Sequence, residues 1–417
     1  MRPYIDLLHR ERDFRRVYTA QLISLGGDWF AIVPLLNLLA RETGSGVYGS
    51  LVLAADTLLI AAVSPYAGSI ADRYDRRTIL VAADIASAAV VLALLLVRGP
   101  ATAWIGVTAI GAIAVAKAFY QPASNAALPN LVSRADLPTA NVLVGASWGT
   151  MLAVGAALGG LADAAFGPYT CFLIDGASFL LSAWLTVLAR RPFQQAGTAR
   201  GGRPQVWLDL RETARYVRGD RRVATLLSVK SAVGLGNGTL ALFPLLATGA
   251  YAVGPLGTGL LFAARGLGAL IGPLITRRPA ADEARLYPVM AAGMLGFGFC
   301  YVLFGLTPWF WAALLLVVVA HIGGGANWVL SSYGLQATVP DALRGRVFSA
   351  DFMLATLAMA LGQLAAGWAS ELVDVRVLAS SFGGVTLLYG VLWLAATRGV
   401  RRTAAESRPS ATPGESD

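Results

Sequence analysis

Six polar side chains stand where a chain this apolar should carry none. Asp28, Asp56, Lys117, Arg265, His321 and Asn327 all fall well inside apolar runs of the sequence. Ionisable groups in hydrocarbon are costly, and they face a protein interior or a water-filled path. Asp28 and Lys117 carry opposite charges and offer proton exchange. A carboxylate paired with the lysine can take up a proton and free the ammonium for an anionic group. The plainer role for Asp28 is a satisfied carboxylate tying helices together, and the residue types leave both open. Asp56 is the second coupling candidate. Arg265 must find a carboxylate, carbonyl oxygens or water. His321 belongs to the side-chain type that titrates near neutrality, so it can carry protons or sit in the core bonded to a carbonyl. Asp84 is expected to brace the charged loop at 68–77. Asp175 and Asp351 lie nearer the ends of their runs and suit structural roles, and Lys230 lies close enough to an end to snorkel. Trp29, Phe30, Tyr120, Trp328 and Tyr333 fit a cavity lining or helix packing equally well.

The elements that must hold these groups follow from composition. The chain is 56% hydrophobic and 14% charged, against about a quarter charged for a soluble protein. Its mean hydropathy is +0.62. Runs of roughly 20 apolar residues recur, each long enough to cross about 30 Å of hydrocarbon as a helix. The expected spans are 17–40, 47–69, 78–97, 101–125, 141–163, 168–189, 224–249, 254–276, 286–306, 309–335, 347–370 and 377–397. The fold class is therefore all-α integral membrane, with twelve transmembrane helices. The lipid bilayer is the first partner.

Topology follows from charge. Of 33 Lys and Arg, 27 lie at the termini or in alternate loops, which predicts that both termini face the cytoplasm. The same dispersal argues against nucleic acid as a partner, despite a net charge of +9. Residues 1–16 form a charged terminus without the apolar core of a cleavable signal peptide. Residues 190–223 form the longest loop, with nine arginines and an amphipathic stretch at 207–218 suited to an anionic membrane surface. It separates a half at 17–189 from a half at 224–397, and 398–417 reads as a disordered tail. The halves echo each other. Pro129 and Pro340 precede spans 5 and 11, Gly68 and Gly272 end spans 2 and 8, and the separations are 211 and 204 residues.

The loop between spans 2 and 3 carries Gly68, Asp72, Arg73, Asp75, Arg76 and Arg77. It resembles the loop joining helices 2 and 3 of the major facilitator superfamily, G-x-x-x-D-R-x-G-R-R/K. The resemblance implies two pseudo-symmetric six-helix halves with the substrate between them, with helices 1 and 10 lining the cavity, and a chain that works as a monomer. It also implies that Asp72 docks at the start of helix 11, where Arg344 and Arg346 stand ready to pair with it. A carboxylate there gains from unpaired N–H groups and the helix dipole. Arg73, Arg76 and Arg77 act first as topological anchors. Aspartate at position 75 replaces the motif glycine and is similar to the exporter branch of enterobactin, macrolide and lysophospholipid transporters. The stretches at 24–29, 122–129 and 174–179 resemble that branch as well, and the loop after span 8 keeps a degenerate copy of the motif. In span 5, Gly155, Gly159 and Gly160 match an antiporter signature whose proline is here Ala156. These glycines are expected to pack span 5 against span 8.

The function implied is secondary active export of small amphipathic molecules, drug-, antibiotic- or siderophore-like, by proton antiport. A lysophospholipid flippase and a proton-coupled importer share almost every feature, and a transport-dead sensor or scaffold is the alternative of another class. No Walker A pattern exists for a primary pump. With only His9 and His321 and no paired ligand motif, neither a membrane enzyme nor a metal or cofactor is expected. Cys171 and Cys300 read as free thiols in apolar packing. Arginine and alanine usage points to a GC-rich bacterium, hence a multi-pass protein of the bacterial inner membrane.

Overall fold

Short polar caps set where the long helices begin. Asp75 accepts from Thr78 N at 2.8 Å, Asp220 from Arg222 N at 2.8 Å, and Asp374 from Arg376 N at 2.8 Å, each satisfying a first-turn donor. Gly44 (φ +66°) and Gly167 (φ +79°) close spans 1 and 5 in backbone conformations that a side chain would strain. The computed structural model describes residues 2–194, 206–276 and 283–406.

Among the described residues, twelve helices are long and apolar enough to cross a membrane. Span 1 is Arg12–Thr43, span 2 Val47–Arg73, and span 3 Arg76–Val91 with a 3-10 extension, Leu92–Leu96. Span 4 is Ala103–Leu131, span 5 Leu137–Phe166 and span 6 Pro168–Val187. Span 7 begins as Arg221–Gly236 and runs on irregularly through Asn237–Leu242, Phe243–Leu245 and a wide turn, Leu246–Ala250. Gly234, Gly236, Gly238 and Pro244 explain the irregularity, since they weaken or remove regular helical hydrogen bonds. Spans 8 to 12 are Pro255–Thr276, Glu283–Leu306, Phe310–Thr338, Asp341–Ala369 and Val375–Ala396. Three amphipathic or basic helices, Arg2–Arg10, Val206–Gly219 and Arg398–Glu406, gather at the end that carries the termini, the basic end. Residues 398–417 read as a disordered tail, but Arg398–Glu406 is a helix, and its Val400 is partly buried against the core of the second half. The remainder of that tail and the loop after span 8 lie outside the described residues.

Packing partners repeat between the halves. Spans 2 and 4, 1 and 5, 1 and 6, 3 and 4, and 3 and 6 pack together. So do their counterparts 8 and 10, 7 and 11, 7 and 12, 9 and 10, and 9 and 12. The halves join through span 2 on span 11 and span 5 on span 8, again a symmetric pair. This is the duplicated six-plus-six architecture.

The cores show where the halves meet. At the end opposite the termini one cluster mixes both halves, with Leu35, Leu39 and Phe172 alongside Phe243, Phe262 and Phe310. At the basic end each half has its own cluster, one around Phe14, Ala127 and Leu131, the other around Leu226, Tyr287 and Trp393. Small residues seal the shared end. A Cβ on Gly46 would lie 2.5 Å from Ser370 Oγ, and one on Gly160 2.8 Å from Gly259 Cα. The interface stripe of span 5 continues through Gly149, 3.3 Å from Leu270 Cβ by the same construction. One turn further, Gly145 meets nothing within 4 Å. Spans 5 and 8 have parted there, so the halves form a wedge open toward the basic end.

Candidate functional site

Mid-depth in the first half, Lys117 Nζ forms an ion pair with Asp28. Lys117 is the middle residue of span 4, and Asp28 stands about halfway along span 1. The ammonium also lies 5.1 Å from the Phe179 ring centroid and within electrostatic reach of Asp175, both on span 6. Ser178 donates to Asp175 Oδ1 at 3.1 Å. Gly27 makes this convergence possible, because a Cβ there would collide with Asp175 Oδ1 and Ser178 Oγ. The result is one cation among two carboxylates from three helices. Its side chains retain some exposure, 20% for Lys117 and 12% for Asp28. Such a cluster can hold one charge state tightly and exchange protons as its partners separate.

One turn from Asp28, Ser24 donates to Asp84 Oδ1 at 3.1 Å, and Ser182 donates to Oδ2 at 2.6 Å. Asp84 is therefore a buried tie between spans 1, 3 and 6. It does not brace the loop at 68–77, because span 3 turns it inward.

Arg265 occupies the junction of the halves. Its guanidinium carbon lies 5.6 Å from the Trp29 ring centroid and 5.5 Å from that of Trp148, on spans 1 and 5. Asp56 of span 2 lies within electrostatic reach. Behind it, the Tyr301 hydroxyl and His321 Nε2 are 2.9 Å apart, and Phe297 packs edge-on against the imidazole. His321 thus bonds a phenol in place of the expected carbonyl, and it is enclosed in the second half. Asn327 is 1% exposed and packs against Gly293 in the same half. The structure pairs Asp28 with Lys117, and it places Asp56 within electrostatic reach of Arg265 without an ion pair between them. His321 and Asn327 stand apart from any open surface.

The loop between spans 2 and 3 is a staple. Arg76 donates to Ala126 O at 2.7 Å and Phe193 O at 3.2 Å, joining span 4 and the segment after span 6. Arg77 donates to Arg191 O at 2.9 Å and lies over the Phe193 ring. Asp75, the departure from the motif, caps span 3 as described above. Arg73 is exposed. The Asp72 side chain lies outside the described residues. Across the wedge, Arg344 donates to Val339 O at 3.4 Å. Arg346 pairs with Glu212 of the linker helix Val206–Gly219, a partner the sequence did not suggest.

This arrangement has a family. The model of the family described as transmembrane secretion effector matches residues 8–415. The chain belongs to that family. The chain is 26% identical to an uncharacterized MFS-type transporter, YfiS, of Bacillus subtilis, over 96% of each chain. It is 28% identical to the multidrug efflux pump Tap of Mycobacterium tuberculosis, over 88% of each. Among solved structures it resembles the nucleoside transporter NupG, with TM-score 0.73 and 15% identity, covering 92% of this chain and 99% of that one. It is a multi-pass membrane transporter of the major facilitator fold, resembling its drug exporters.

Span 5 carries its glycines differently from expectation. A Cβ on Gly159 would lie 2.8 Å from Phe30 Cα, and one on Gly155 would lie 3.2 Å from Trp29 Cβ, both on span 1. Only Gly160 of the three faces span 8. Successive helical residues turn by about 100°, so neighbouring glycines serve different partners. Lys230 does not snorkel. It is 4% exposed, paired with Asp351 of span 11, bonded to Ser332 Oγ at 2.8 Å, and 4.9 Å from the Trp328 ring. Sequence reasoning also missed Trp148 and Tyr301, for which no local pattern signals proximity to Arg265.

Proposed function

We propose that this transporter exports small amphipathic molecules in exchange for protons by alternating access. The carrying observation is the ion pair of Asp28 and Lys117, with Asp175 beside it. Protonation of Asp28 removes the attraction that joins spans 1 and 4 at mid-depth and releases Lys117 toward Asp175. That rearrangement gives each protonation state its own packing, as coupling to a conformational change requires. The arginine distribution supports a cytoplasmic basic end, so the wedge represents a state open to the cytoplasm and ready to load. Similarity to Tap, a multidrug efflux pump by name, supports export. The staple of Arg76 and Arg77 holds the basic end of the first half as one body, while span 11 carries the facing element.

Everted vesicles with an acidified interior test this reading. Amphipathic compounds are added and proton release is followed with a pH-sensitive dye. Release by the native protein and not by Asp28→Asn supports coupling through Asp28. Equal release by both moves the coupling to Asp56, and no release with any compound removes proton antiport.

A further inference from the structure

Arg265 is 8% exposed, yet among the described residues its guanidinium has no hydrogen-bond or ion-pair partner. A buried charge is ordinarily paired, because leaving one unpaired in a low-dielectric interior is costly. Here the two indoles of Trp29 and Trp148 flank the cation, which stabilises it without using its N–H donors. Asp56 contributes only its field. Five donors in a planar fork are therefore left for a group that the chain does not supply, and a carboxylate matches that fork with two parallel hydrogen bonds.

The place fits a ligand. Arg265 lies ten residues into span 8 from Pro255, about 15 Å along the helix. The halves meet there, and Trp148, 45% exposed, stands one residue before the Gly149 contact, beyond which spans 5 and 8 part. A molecule entering the wedge meets Trp148 first and the guanidinium next. We propose that Arg265, between Trp29 and Trp148, binds the carboxylate of an amphipathic organic substrate, with the indoles receiving its apolar body. This names a substrate class for the transport reading above and rests on it. Asp56 is the resident counter-charge, which weakens anion binding and keeps the empty site from trapping any anion.

The test is calorimetric binding to the purified full-length protein in detergent, without a proton gradient. The probes are naphthalene-2-carboxylate and its uncharged analogue naphthalene-2-carboxamide. A charge-assisted pair predicts that the carboxylate binds about tenfold or more tightly than the amide. Arg265→Gln abolishes that preference while amide binding remains, Arg265→Lys keeps a reduced preference, and Asp56→Asn tightens carboxylate binding. Equal binding of the two probes, no binding of either, or a preference that survives Arg265→Gln overturns the proposal. If Arg265→Gln fails to fold, Asp56→Asn decides, since no gain in carboxylate affinity overturns the site. Carboxylate preference without proton release in vesicles would retire the antiport reading and leave this site standing. Proton release with equal probe binding would retire the site alone.

Discussion

Gly160 of span 5 and Gly259 of span 8 touch backbone to backbone: a Cβ on Gly160 would lie 2.8 Å from the Gly259 Cα and 3.0 Å from Pro255 O. No side chain fits between them while the end opposite the termini stays shut. Gly160→Val should destabilise the closed end by about 1–3 kcal/mol, the usual cost of overpacking. The readout is thiol labelling of Ser50→Cys, which packs on span 2 against Gly367 of span 11 at the same end and should become faster to label. Gly145→Val, where nothing lies within 4 Å, serves as the control and should leave labelling unchanged. Equal labelling in both variants would remove the seal from Gly160.

Lys230 and Asp351 test how the second half tolerates a buried pair. Lys230→Met alone strands a carboxylate that is 2% exposed and should lower stability by about 3–5 kcal/mol. The double variant Lys230→Met/Asp351→Leu should recover most of that loss, because two apolar groups leave nothing unpaired. Thermal unfolding in detergent measures both. A double variant no better than the single would mean that the pair does more than satisfy itself.

The pair of Arg346 and Glu212 is about 40% exposed on each side, so its static worth is about 0–1 kcal/mol. Its interest lies in what it joins. Tyr216 and Val217 of the linker helix pack on the core of the second half, as do Leu343 and Phe348 of span 11. The linker helix should therefore ride with the second half through the cycle. A bifunctional crosslink between Glu212→Cys and Arg346→Cys should leave transport within about twofold of the uncrosslinked protein, since the linker helix and span 11 keep their mutual position. Complete inhibition by the crosslink would show that the two separate during turnover.

Asp136, in the loop before span 5, carries a carboxyl held below its usual range by the Ser133 hydroxyl and then by Arg10. A depressed folded value means that its stabilising contacts are present above the unfolded value of about 3.9 and are lost as pH falls through the folded one. Asp136→Asn should consequently leave the pH profile of transport between about 5.5 and 8 unchanged, and its unfolding midpoint should converge with the native protein's only below about pH 4. A shifted transport profile in this variant would give Asp136 a part in coupling.

Hydropathy and arginine spacing made the twelve spans and the duplicated halves legible, because a bilayer demands long apolar helices and leaves charge at their ends. The meeting of Asp28 and Lys117 was legible for a related reason, since opposite charges at similar depth have few other partners. The pairing of Lys230 with Asp351 was not, because 121 residues of chain separate them and no periodicity records which helices become neighbours. Gly155 and Gly159 were assigned to the wrong neighbour for a subtler cause. A small residue signals close approach but carries no mark of what approaches.

Span 5 lies between its own half and the other, smooth on both faces. Gly155 and Gly159 let span 1 settle against it, while Gly149 and Gly160 let span 8 do so. The first contact is a weld and the second a bearing surface, cut into one rod about 100° per residue apart. Side chains added to firm up the weld turn the rod slightly and roughen the bearing. Rigidity within the first half and freedom between the halves are thus set by the same few missing side chains, and neither can be tuned at this helix without moving the other.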